Sequence, residues 1–154
     1  MNTLYHISVW LHIIGVSFWM GGMLFLPLVL FPAIKEHPDR KNLLMQTGLK
    51  FRFFGYIILG LLLVTGISNM LLRGVDVSWK FLVISRYGKL VVIKLVLFLS
   101  MLTVSLIHDV QARKRLTTEK EKRKFRIIAQ WTGRILLLFS LIIAYIGVVL
   151  SRGA

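Results

Sequence analysis

The chain has 154 residues, of which 56% are hydrophobic, 17% are charged and none is cysteine, and its formal charge is +14. So much apolar content exceeds what a soluble domain of this length needs, and the basic residues fall in short segments between apolar runs, where the positive-inside rule and anionic headgroups account for them without nucleic acid. The lack of cysteine excludes disulfides, thiolate metal sites, cysteine-ligated iron–sulfur clusters and covalently attached c-type haem.

Four runs are long and apolar enough to cross a bilayer as helices, about 5 to 31, 53 to 72, 90 to 110 and 134 to 151. The connections are short. An all-α integral membrane fold follows, a four-transmembrane-helix up-and-down bundle forming a single domain over residues 1 to 154. A secretory leader would open with a basic segment and a short apolar core, whereas the first charged residue here is Lys35. The first run is therefore expected to be a retained span.

That first run, with Pro27 and Pro32 at its close, holds no acidic or basic residue and yet carries His12. At about 100° per residue, His12, Gly15, Trp19 and Gly22 share one stripe, with Met23 at its edge. The face offers an imidazole, two gaps where a flat group could approach the backbone, and an indole. Gly15, Gly22 and Trp19 equally suit close helix packing, and both readings stand at this point. A polar ring at membrane depth is unfavourable without a partner, which marks His12 as a candidate ligand or proton carrier.

In the second run, Gly55, Gly66 and Asn69 share a stripe, and Thr65 falls off it. Between the second and third runs, Val75 to Ile84 mixes Trp79 and Phe81 with Asp76 and Lys80, as a short interfacial segment would. The third run places Lys94, Met101, Ser105 and His108 on one face, expected to look into the bundle. Lys94 also fits a lysine snorkelling to the interface, and His108 beside Asp109 fits the polar end of a span. A helical third loop is expected, with Thr117 or Thr118 as its cap and Glu121 completing a capping box. In the fourth run Gln130, Arg134, Leu141 and Tyr145 form a comparable stripe.

Depth separates these groups. Spans one and three run the same way, so His12 and Lys94 are expected at similar levels, while His108 lies about 21 Å further along its helix. The expected companions of His12 are Lys94, and Asn69 or Met70 at the end of span two. The segments joining spans one to two and three to four carry 14 Lys and Arg, against 5 in the other connection and the tail. Both termini should therefore face out from a bacterial inner (plasma) membrane.

The pattern Leu11-His12-Ile13-Ile14, Trp19-Met20-Gly21-Gly22, Phe25-Leu26-Pro27, Thr65-Gly66 and Tyr87-Gly88-Lys89-Leu90 leading to Lys94-Leu95 resembles the membrane domain of the copper-resistance D (CopD) family. It also resembles the four-helix HemJ-type protoporphyrinogen oxidases. The second likeness implies that His12 and Lys94 bind haem b. The reading that follows is a haem b-binding membrane redox protein, cytochrome b-like, with HemJ-like oxidation or quinone-linked electron transfer as its activity. His12 would be an axial ligand, Lys94 the second ligand or a propionate partner, and Gly15, Trp19, Gly22 and Asn69 would line the non-covalently held cofactor. The alternative is a copper permease of the CopD type, with His12, Met20, Met23 and Met101 as ligands along a path, although the six methionines are scattered. A structural partner subunit is a third reading. Glycine-rich apolar surface also suits a homodimer.

Overall fold

The structure is a computed structural model that describes residues 3–75, 78–112 and 119–152. It is all-α: α1 (Thr3–Phe25) continues through a wide turn, Leu26–Leu30, into α2 (Phe31–Ala33), and α3 (Arg40–Leu72), α4 (Trp79–Ile84), α5 (Arg86–Ala112) and α6 (Glu119–Ser151) follow. Four helical segments, Thr3–Ala33, Arg40–Leu72, Arg86–Val110 and Trp131–Ser151, are long and apolar enough to span a membrane. The chain divides into two compact units, Met1–Val75 and Asp76–Ala154.

The first span passes both of its prolines. Pro27 lacks an N–H, so the turn widens and the Phe31 N–H reaches back to the Leu26 carbonyl, five residues away. The helix thus runs on to Ala33 instead of closing near residue 31.

In the first unit α1 and α3 are antiparallel neighbours, since Ser8 meets Thr65, Gly15 meets Leu62 and Gly22 meets Phe51. The core of this seam is Trp19, Leu59 and Leu62. In the second unit α5 and α6 are likewise antiparallel, with Lys94 near Gly147 and Met101 on Ser140. Met101, Leu136, Ile146 and Leu150 form that core.

The segment expected at the interface contains α4, begun by Ser78, whose hydroxyl accepts the Phe81 N–H at 3.3 Å. It meets α5 at Gly88, which packs on the Phe81 carbonyl and the Leu82 backbone and donates its N–H to Ser85 Oγ at 2.8 Å. Thr117 and Thr118 lie outside the described residues.

α3 begins thirteen residues ahead of its expected start at 53. Charge marks that stretch as a loop, but its side chains support a helix: Asn42 donates to Asp39 and Gln46 donates to Asn42, at 3.1 and 3.2 Å.

Candidate functional site

Antiparallel packing turns the His12 stripe onto α3. Gly15 and Gly22 are the points of closest approach: a Cβ at Gly15 would stand 2.9 Å from Leu62 Cδ2, and one at Gly22 would meet the Phe51 ring. The spaces beside these two glycines are thus filled by α3 side chains. Trp19 is 6% exposed, lies over Gly55 and stacks with Phe51 at 6.1 Å between centroids.

His12 meets Thr65, which lies off the predicted stripe, and Gly66, which belongs to it. His12 Nδ1 is 2.8 Å from Thr65 Oγ1, and Thr65 Oγ1 is 2.7 Å from the Leu61 carbonyl oxygen. Two oxygens that close need a proton between them, and a threonine hydroxyl has only one. Thr65 therefore donates to Leu61 and accepts from His12 Nδ1–H, which leaves Nε2 as the basic ring nitrogen. One turn along α1, the Ser8 hydroxyl donates a long hydrogen bond, 3.4 Å, to the Thr65 carbonyl. The imidazole edge rests above Gly66, with Cε1 at 3.6 Å from where a Cβ would be. Asn69, one turn beyond Thr65, has a buried Oδ1 that accepts no hydrogen bond among the described residues.

Part of the signal for Thr65 was in the sequence, although the facing register was not. Thr65 lies one turn from Asn69 and only about 40° round from it, and the polar pair Ser8 and His12, also one turn apart, requires an acceptor on the facing helix.

In the second unit the face predicted for span three does turn toward its neighbour helix. Lys94 runs to α6, with Nζ 3.5 Å from a Cβ built at Gly147, and Met101 is 2% exposed with its sulfur accepting from Ser140 Oγ at 3.4 Å. His108 is half-buried beside the buried Asp109. Apart from Gln130, whose side chain lies outside those described, the stripe predicted for span four is turned the other way. Leu136, Ser140, Ile146 and Leu150 are the buried positions of α6, whereas Arg134 lies on the Trp131 ring at 5.2 Å and Leu141 and Tyr145 are exposed. Arginine and tyrosine keep their polar ends outward.

No three His, Asp or Glu side chains come together as a metal cluster among the described residues. The thioethers Met20 and Met23 are eight and eleven residues from His12 on the same helix, about 12 and 16 Å along its axis.

The family model of copper resistance protein D matches residues 45–150. The chain is 34% identical over 148 residues to an uncharacterized protein of Aquifex aeolicus (strain VF5), covering 94% of each. It is 30% identical over 110 residues to the copper transport protein CutJ of Bacillus subtilis (strain 168), a match that takes in 70% of this chain and 19% of the relative. The chain thus spans about a fifth of that second protein's length and nearly all of the first. No solved structure matches.

These matches correct the functional expectation. Both of the functions they name concern copper. The haem b-binding redox reading, with its iron ligation, oxidase activity and quinone link, is withdrawn in favour of the copper alternative. The likeness that implied haem ligation by His12 and Lys94 was to the HemJ type, and none of the matches is to that type.

Proposed function

The chain belongs to the copper resistance protein D family, and from that premise we propose that it carries copper as cargo across the membrane that its four spans occupy. The family match over residues 45–150 is the observation that carries this reading. A histidine fixed at membrane depth by a hydroxyl is consistent with it, because a metal-binding imidazole commonly donates its other N–H to an oxygen that orients the ring. In this reading His12 contacts the ion, and Lys94, in the other unit, is a second residue on which transport depends. The four spans act as one domain in the bacterial inner membrane with both termini outside. A homodimer is a further part of this reading, supported by Gly21, Gly60 and Gly133, where an added Cβ would meet nothing within 4 Å.

The test is copper movement. Proteoliposomes holding the purified chain should accumulate copper faster than protein-free vesicles, and cells expressing it should differ in copper content from cells carrying an empty vector. His12→Ala should abolish the difference and Lys94→Met should reduce it, with both variants inserted at normal levels. Equal copper in loaded and protein-free vesicles, together with equal cellular copper with and without the chain, would dispose of the transport reading.

A further inference from the structure

The short helix α4 has an apolar outer face that stands exposed among the described residues. Trp79, Lys80, Val83 and Ile84 fall within about 140° of its circumference. Trp79, Ile84 and Val83 are 80%, 72% and 48% exposed. Phe81 and Leu82 lie on the opposite side and are half-buried, the Phe81 ring 6.3 Å from that of Tyr87 on α5.

Two contacts fix the level of that face. A single extended residue, Ser85, separates α4 from α5, and its hydroxyl serves both helices, donating to the Phe81 carbonyl at 2.7 Å and accepting the Gly88 N–H at 2.8 Å. Gly88 then lets the α4 backbone lie against the first turn of α5, since a Cβ there would meet the Phe81 carbonyl and stand 2.6 Å from Leu82 Cα. The third span starts at Arg86, so Gly88 is only about 3 Å of helix inside it. α4 is thus held where that span enters the bilayer.

The chemistry of the face matches this level. Lys80, Arg86 and Lys89 are exposed, and no Asp or Glu occurs from Ser78 to Lys94. An indole, two branched aliphatics and basic side chains with long apolar stems suit the boundary between headgroups and acyl chains. Positive charge without a carboxylate is complementary to anionic phosphates, whereas a second copy of the same face would set like charges together.

We propose that α4 is a membrane-surface anchor. Trp79, Val83 and Ile84 insert at the headgroup–acyl boundary, and Lys80, Arg86 and Lys89 meet lipid phosphates. The anchor needs only a bilayer around the four spans and holds whether or not the cargo is copper. Through the corner at Ser85 and Gly88 it sets the level of α5, and with it Lys94, about 12 Å along the helix from Arg86.

The chain has no cysteine, so a single introduced one takes a nitroxide label specifically. Val83→Cys and Ile84→Cys, labelled in nanodiscs of mixed phosphatidylcholine and phosphatidylglycerol, are compared by power-saturation electron paramagnetic resonance with Leu99→Cys, an exposed position midway along the third span. Both α4 labels should be relaxed more by oxygen than by a water-soluble nickel chelate, at about 5–10 Å below the phosphates, with the Leu99→Cys label deeper. Replacing Lys80, Arg86 and Lys89 by Gln should make the α4 labels shallower in the mixed lipid and leave them unchanged in pure phosphatidylcholine; equal depths in both lipids overturn the phosphate contacts. Labels reached chiefly by the chelate put the face in water, and labels reached by neither relaxant put protein on it. Either result overturns the anchor. Should the labelled variants fail to fold, the difference in fluorescence between wild type and Trp79→Phe isolates Trp79. Its emission should be quenched by phosphatidylcholine brominated high on the acyl chain, and quenching by aqueous iodide instead, or by neither, overturns the insertion.

Discussion

At the scale of single residues, two glycines in similar motifs have opposite demands. A Cβ at Gly88 would run into the Phe81 carbonyl and stand 2.6 Å from Leu82 Cα, both of them backbone atoms that no rotamer change moves aside. Gly88→Ala should therefore destabilise the α4–α5 corner by about 1–3 kcal/mol, the usual range for overpacking, read as a lowered unfolding midpoint in detergent. At Gly66 the nearest atom to a Cβ is His12 Cε1 at 3.6 Å, an ordinary contact. Gly66→Ala should be neutral or stabilising by up to about 1 kcal/mol, because alanine is the better helix former. Equal losses at the two sites would mean that backbone proximity at Gly88 does not set its identity. The histidine was legible in the sequence at this scale, because an uncharged span with one imidazole singles it out. Its partner was not, because an ideal helical wheel puts Thr65 at the edge of the Gly55–Asn69 stripe, and only the register of α1 against α3 shows that this edge faces Ser8 and His12.

At the scale of helices, neighbouring glycines on α1 show which contacts hold the first unit together. Nothing lies within 4 Å of a Cβ at Gly21, whereas one at Gly22 must displace the Phe51 ring. That ring is not free to swing, since it stacks with Phe18 at 6.5 Å and Trp19 at 6.1 Å between centroids. Gly22→Ala should weaken the α1–α3 pairing by about 1–3 kcal/mol while Gly21→Ala leaves it intact, as measured by unfolding in mixed micelles. If both substitutions are harmless, the aromatic stack is looser than its geometry indicates. The existence of each span could be read from length and apolar content alone, but the ends could not. Pro27 reads as a helix stop, and α1 passes it by widening one turn; the charged stretch after Asp39 reads as a loop, and α3 already runs through it. The inner face of α6 was misread for a different reason. Polar residues in a span suggest an inward stripe, but those near a span's end or with long amphipathic side chains reach the interface from the outer face.

At the scale of the whole chain, exposed apolar side chains occur along all four spans, from Trp10 and Phe25 on α1 to Leu138 and Val148 on α6, as suits helices long and apolar enough to cross a bilayer. Charge then sets direction in that bilayer. α3 and α6 have 33 residues each, about 50 Å of helix against a hydrocarbon core of about 30 Å, so each overruns the core by several turns. Their N-terminal stretches carry most of the 14 basic residues of the heavily charged connections, against 5 in the remaining connection and the tail. Holding the basic stretches on the cytoplasmic side requires both termini on the other side, since each span reverses the direction of the chain. Alkaline phosphatase fused after Ala154 should therefore be active, because its disulfides form only in the oxidising outer compartment, and a fluorescent protein that matures only in the cytoplasm should stay dark at the same junction. An inactive phosphatase with a bright fluorescent fusion would reverse the topology. In that event His12, only about 14 Å of helix from Thr3, would open toward the cytoplasm instead of the outer side.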